Sequence, residues 1–394
     1  MRAVTVAADA ATAELDLSDV ARGDGYLFVR NEVGIAGRGV AARVDVDNAA
    51  ALLASIDHVA PDGAPGPVAI GCLPFTPCSA AELVVPSVVV HKSADGGCWL
   101  TVIDDARIDL APCAAPQPSA AAYSIDPVTP VETYLAAVDA ARAAVRDGTL
   151  TKAVIAREIL VSADHPIDVH GVLQRLEASF GSSYRYSVDG FVGASPELLV
   201  AVDGREVRSH PLAGTAPRTG NIDLDARIAA DLVASTKDQV EHRVVIDVVH
   251  DTLLPWSSYL DWQPEPEIVT VANVQHLGTR IEGRLSLPTP NVLELVRALS
   301  PTPALGGHPR DEALALIAEV EGVDRDRYGG AVGWVDGRGD GTWAVAIRCA
   351  ALSADRRRAR LHAGGGIVAE SNPLAELAET QAKFQAMLSA LIRP

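Results

Sequence analysis

The sequence predicts a mixed α/β protein, and three observations carry that expectation. Short strand-like runs crowd the first part of the chain, helical and strand-like periods alternate after it, and 394 residues with 48% apolar side chains suffice for one large core or two smaller ones. A formal charge of −18 with a charged fraction of 21% describes a compact, acidic globule. Such a chain lacks the basic footprint that nucleic acid or an anionic membrane surface requires, so neither is expected as a partner. An anionic substrate would need its own local cations. The five cysteines, Cys72, Cys78, Cys98, Cys113 and Cys349, are odd in number and show no CxxC spacing. Neither a disulfide framework nor a zinc site is expected, and a reducing compartment fits. The stretch after Arg2 lacks a long apolar core and no later run reaches the length of a membrane span, so a cytoplasmic protein is expected.

From Gly25 to about Ile103 the runs GYLFVR, VGIAGRGVAARVDV, PVAIGCLPF, ELVVPSVVVH and CWLTVI read as strands, with one helix near Asn48 to Ile56. This part reads as scaffold. Asp104 to Pro130 is rich in Ala and Pro and reads as a connector that continues neither strand nor helix. It divides a β-rich part, 1–125, from a part that carries the chemistry, 126–394.

Val131 to Arg146 has apolar residues at helical spacing, and Asp147-Gly148 ends it. The strand TKAVIAREILV follows, with Lys152, Val154 and Ala156 on one face and Ile155 and Ile159 on the other. A lysine there either snorkels to water at the strand end or is a desolvated amine able to act as a base. A helix near Asp168 to Phe180 precedes strands in SYRYSVDG and FVGASPELLVAVDGREV, where Ser195-Pro196-Glu197 interrupts an apolar run. Glu197 is either solvent-facing beside a bulge or desolvated, its pKa raised toward that of a general acid. SHPLAGTAPRTG reads as an extended loop, with Gly214 and Thr215 offering amides and a hydroxyl to a carboxylate.

Asn221 to about Leu254 reads as a long helical stretch broken near Ser235; its second part is expected to bury Val240, Val244, Val245 and Val248. Glu241 and His242 are adjacent and diverge on a helix, and no HExxH occurs, so zinc is not indicated. A lone Glu241 fits magnesium, a hard ion that keeps several waters. VTVANVQHLGTRIEGRL is strand-like around His276, NVLELVRAL and DEALALIAEVEG are helical, and the loop SPTPALGGHP has the character of a pocket wall. YGGAVGW, TWAVAIRCA and RARLHAGGG read as strands. Arg348 in VAIRCA needs an anionic partner, which is either a buried Asp or Glu or a substrate carboxylate.

The last stretch, HAGGGIVAESNPLAELAETQAK from His362 to Lys383, sets three glycines before a helix. The glycines let backbone approach a ligand where no side chain fits. Glu376, Glu379 and Lys383 fall three and four residues apart on one helical face, which is either an ordinary solvated Glu–Lys face or two carboxylates and an ammonium meeting at a site.

Together KAVIAR, GASPELL, PLAGTAPR, KDQVEH, PTPALGG, YGGAVGW, AIRCA, AGGGIV and the ExxETxxK of Glu376 to Lys383 resemble, in order and spacing, the chorismate-utilising enzymes. The resemblance runs from about Val131 to Leu391 and lies nearest the isochorismate synthase branch. It implies a single large α/β domain of two antiparallel sheets packed face to face with helices outside. It also implies an Mg²⁺-dependent isomerase, a monomer whose partner is its small-molecule substrate, that adds water at ring carbon 2 of chorismate while the carbon 4 hydroxyl leaves. By that resemblance Lys152 is the base and Glu197 the acid. Glu241 and Glu379 match magnesium-binding glutamates and Glu376 one that supports the ion or its waters. Gly214, Thr215, His276, Ala304, Leu305, Tyr328, Arg348, Gly364 and Lys383 match positions lining the substrate, with Arg348 and Tyr328 toward the enolpyruvyl carboxylate. The amine-adding relatives commonly carry glutamine at the Lys152 position, and some carry a nucleophilic lysine where Ala213 stands here. Salicylate synthases share the lysine and eliminate pyruvate afterwards; a non-catalytic binding protein on this fold is the remaining alternative. The product of an isochorismate synthase would feed siderophore, salicylate or menaquinone synthesis.

Overall fold

A computed structural model describes residues 1–77, 79–110 and 122–392. Among these residues the strands form sheets of 13, 9 and 3. The two large sheets share one core: Phe28, Ile155, Tyr186 and Phe191 from the first meet Ile70, Val200, Val332 and Trp343 from the second. Because side chains alternate along a strand, Leu27, Val29 and Val192 point the other way, onto Leu173, Leu176, Phe384 and Met387 of helices outside. Two face-to-face sheets with outer helices are the architecture the family resemblance implied. The third sheet, Leu212–Pro217, Val274–Gly278 and Glu267–Thr270, is an addition to it.

Two neighbouring strands pass from one large sheet to the other. Phe191–Ser195 lies in the 13-stranded sheet and Leu198–Asp203 in the 9-stranded one, so Ser195-Pro196-Glu197 is the bend between them. Gly341–Val345 and Cys349–Leu352 make the return crossing beside it, with Arg348 at the bend. Sheet corners of this kind need a kink, which proline supplies in one strand and a left-handed residue in the other. Arg348 has φ +53° and is therefore not in mid-strand, as TWAVAIRCA had suggested, but between two strands.

The helical pair Ile222–Ala234 and Thr236–Leu253 breaks at Ser235, whose side chain accepts from the Asp238 N–H and starts the second helix. That helix is rotated from the face its valines suggested. Val240 is 55% exposed, while Glu241, His242, Val245 and Val249 are buried. Counting apolar residues misplaced the face because the polar residues of this helix point into a site. SHPLAGTAPRTG is likewise not a loop: Leu212–Pro217 is a strand paired with Val274–Gly278, its register broken around Gly214.

Of the proposed connector, residues 111–121 lie outside the described residues, as do Cys78 and Cys113. Tyr123–Pro127, read as part of that connector, is a strand paired with Lys152–Ala163. Cys72, Cys98 and Cys349 are free thiols. Among the described residues no helix is long and apolar enough to cross a membrane.

Candidate active site

A cavity of about 220 Å³ lies where the two crossings, the Lys152–Ala163 strand and the Arg358–Ile367 strand come together. These last two strands pair antiparallel, Val154 with Gly366 and Ala156 with Gly364. Partners in register share a face, so Lys152, Val154, His362, Gly364 and Gly366 form one wall. Lys152 is 1% exposed and does not snorkel to water. Its ammonium lies 2.7 Å from Glu241 Oε1 on the facing helix.

The lysine strand is held from its other side by a buried pair. Glu321 Oε1 accepts the Ala156 N–H at 2.7 Å, and Arg325 donates to the Val154 and Leu305 carbonyls at 2.7 and 2.8 Å. Glu321 and Arg325 also bond each other, so every charged atom of the clamp is occupied. Ala304 and Leu305, which line the cavity, are thereby tied to the Lys152 strand.

The glycine run makes room for carboxylates. A Cβ on Gly365 would stand 2.7 Å from Glu376 Oε2 and 3.9 Å from Glu379 Oε1, and one on Gly366 would collide with Glu241 Oε1. Of the three, Gly364 and Gly366 line the cavity, so close approach to a ligand is only part of their use. Each carboxylate is matched by a lysine: Glu241 by Lys152, Glu379 by Lys383 at 2.6 Å, and Glu376 by Lys237 at 3.4 Å. Burial pushes Glu241 up, but the ammonium groups of Lys152, Lys237 and Lys383 together outweigh it and hold the carboxyl below its ordinary value. Glu376 is raised by burial and by the charge of Glu379.

Among the described residues no three His, Cys, Asp or Glu side chains stand close enough to enclose an ion by themselves. The donor set still fits magnesium. It is all oxygen and mutually repelling, and Mg²⁺ is commonly held by one or two carboxylates, waters and an anionic ligand rather than by a closed protein cage. Glu241 and Glu379 line the cavity and would hold it; Glu376 is outside the lining, behind Gly365.

Opposite this cluster Glu197 is 3% exposed. Burial raises its pKa to about 8, against the lowering effect of the Leu212 N–H and of the Lys152, Lys383 and Arg348 charges. Arg348 is also buried, and among the described residues no carboxylate lies within ion-pair distance of it. Its guanidinium instead donates to His276 Nε2 at 3.2 Å. His276 is held neutral by burial and by Arg348, and its Nδ1 lies 3.1 Å from both the Gly214 carbonyl and the Thr215 hydroxyl. Donation from Nδ1 to that carbonyl leaves Nε2 free to accept from arginine. Gly214 has φ +69°, which turns its carbonyl out of the strand ladder. Tyr328 is buried beside Arg348, and Lys383 donates to the Gly364 carbonyl at 2.7 Å.

Thus the cavity gathers thirteen of the fourteen residues the sequence singled out, all but Glu376. It also contains Lys237, Asp238 and His362, to which the sequence reading assigns no role. Helical spacing could have found the first two, since they precede Glu241 by one turn. Strand alternation could have found His362, two residues from Gly364.

A cavity in an acidic protein, holding a buried guanidinium that has no carboxylate of its own among the described residues, suits an enzyme that takes a small anionic molecule. The chain belongs to the chorismate binding enzyme family, whose model matches residues 76–392. It is 44% identical over 340 residues to a Mycobacterium tuberculosis MenF protein, covering 82% of this chain and 86% of that one. It is 38% identical over 336 residues to isochorismate synthase DhbC of Bacillus subtilis, covering 82% and 81%. The crystal structure of DhbC from Bacillus anthracis superposes with a TM-score of 0.82 at 32% identity, over 95% of this chain and 98% of that one.

Proposed function

We propose that this chain is an isochorismate synthase, an isomerase that adds water at ring carbon 2 of chorismate and releases the carbon 4 hydroxyl. One observation carries the reading: Glu197, with a pKa of about 8, is a proton donor at neutral pH and shares its cavity with Lys152, which comes from a different strand. Lys152, which sits as an ammonium against Glu241, must first give its proton to solvent; it then takes a proton from water as the new C–O bond forms at carbon 2. The ring double bonds shift, and Glu197 gives its proton to the departing oxygen at carbon 4. One water enters and one leaves, so the formula is unchanged.

Arg348, buried without a carboxylate of its own, suits the side-chain carboxylate, with Tyr328 beside it. Bound Mg²⁺, held by Glu241 and Glu379 with Glu376 in support, would supply positive charge for the ring carboxylate. Lys383 orients Glu379 and the Gly364 carbonyl. On this reading the product feeds siderophore or menaquinone synthesis.

The test is incubation of the purified protein with chorismate, with Mg²⁺ and then with EDTA, and identification of products by chromatography with mass detection. Isochorismate alone, lost with EDTA and in Lys152→Ala, supports the reading. Salicylate and pyruvate as early products would move the chain to the salicylate branch, and intact binding without turnover would sink the enzyme.

A further inference from the structure

We propose that Tyr186 is a positioning residue for Arg348, fixing the direction of its guanidinium and through it the affinity for the substrate's carboxylate; the proposal rests on the isochorismate synthase reading. Arg348 lies at the bend between Gly341–Val345 and Cys349–Leu352 and has φ +53°. A residue with a side chain seldom adopts that conformation, and keeps it only where its surroundings impose it. Two planar peptide groups meet at the Arg348 Cα, so the tilts of both decide where the side chain points. The bond to His276 Nε2 at 3.2 Å holds the far end of that side chain. Its root needs a hold of its own.

Both planes are pinned. The Arg348 carbonyl accepts the Ala194 N–H at 3.1 Å, which sets the plane after the residue. The plane before it carries the Ile347 carbonyl, and that oxygen accepts the Tyr186 hydroxyl at 3.0 Å. Among the described residues no backbone N–H donates to the Ile347 carbonyl, so the phenol supplies its hydrogen bond. Tyr186 is 0% exposed, and its hydroxyl also stands beside the Cys349 thiol, next to the residues on either side of Arg348. The ring reaches the bend because its partner on the neighbouring strand is Gly193. A Cβ there would stand 2.5 Å from the Tyr186 hydroxyl oxygen and 2.8 Å from the Arg348 carbonyl oxygen. Tyr186 is outside the cavity lining and acts on a ligand through Arg348. A tyrosine kept only for its ring would be replaceable by phenylalanine.

The experiment is a double-mutant cycle on the full-length chain, comparing wild type, Tyr186→Phe, Arg348→Met and the two together. KM and kcat for chorismate are measured with Mg²⁺ present. Kd is measured by calorimetry with the same four chains carrying Glu197→Gln, so that turnover adds no heat. Tyr186→Phe is expected to raise KM and Kd about tenfold with kcat within about twofold, since the carboxylate is held alike before and during the reaction. In the Arg348→Met background the same change is expected to alter Kd by less than about twofold, because no guanidinium is left to aim. Wild-type affinity in Tyr186→Phe would overturn the proposal. So would a full loss that persists in Arg348→Met, which would mark a general packing defect. Absence of turnover in the wild type would sink the isochorismate reading, while the Kd cycle would still decide the role of Tyr186. A wild type that does not bind chorismate would sink both.

Discussion

The ammonium of Lys152 and the carboxylate of Glu241 meet at 2.7 Å with side chains 1% and 11% exposed, so the proposed base and a proposed metal ligand are one buried ion pair. Removing either partner leaves a charge in the core. Lys152→Met is expected to lower unfolding free energy by about 3–5 kcal/mol in EDTA and turnover by about a hundred- to ten-thousand-fold. The double variant Lys152→Met/Glu241→Gln is expected to regain part of the stability and none of the activity. Urea unfolding and product formation, measured on the same preparations, check both.

Glu197 ties activity and stability to pH in the same direction. Its carboxyl ionises near 4.5 in the unfolded chain and near 8 when buried. Between those values the folded chain holds the extra proton, so stability falls as pH rises. Against Glu197→Gln, which cannot ionise, the wild type is expected to lose stability steadily from about pH 4.5 to about 8. Turnover is expected to fall above about pH 8, where the acid has no proton to give. A flat stability difference between the two proteins across that range would refute the assignment.

Gly366 is required for space, since its φ is not left-handed. A methyl group there would collide with Glu241 Oε1 and press on the Lys152 side chain at 2.8 Å. Gly366→Ala is expected to cost about 1–3 kcal/mol of stability by overpacking and to weaken Mg²⁺ binding. Calorimetric titration with Mg²⁺ separates this from a simple folding defect, because Gly364→Ala would leave Glu241 untouched.

Arg348 is a buried cation with no carboxylate within ion-pair distance among the described residues. Arg348→Met is expected to raise KM for chorismate about ten- to a hundredfold, the worth of a charged hydrogen-bonded pair. The unfolding midpoint should stay near that of wild type, since loss of the bond to His276 is offset by removal of an unpaired buried charge. A large fall in stability would show that Arg348 is structural.

Much of this was legible in the sequence. The strand face of Lys152, the helix break at Ser235 and the cluster of Glu376, Glu379 and Lys383 followed from periodicity, and the motif order pointed to the family. What escaped was set by tertiary context. The apolar count put Val240 inside, where the structure buries Glu241 and His242 instead, because a helix lining a polar cavity inverts the usual sidedness. Arg348 read as mid-strand because a change of sheet leaves no mark on composition. The clamp of Glu321 and Arg325 joins residues whose partners, Val154 and Ala156, lie far away in the chain, and charge patterning shows only the local i, i+4 pair.

The strand carrying Lys152 finds its long-edge partner only in Arg358–Ile367, some two hundred residues later. During synthesis at the ribosome that edge stays open until residues 358–392 have emerged. Glu376, Glu379 and Lys383 arrive in the same interval. The growing chain can therefore lay down most of its two sheets while remaining catalytically mute, and it becomes competent in a single late step. Nascent chains waiting at that stage present an unpaired apolar strand edge, which is the point in the life of this protein at which a chaperone would matter most.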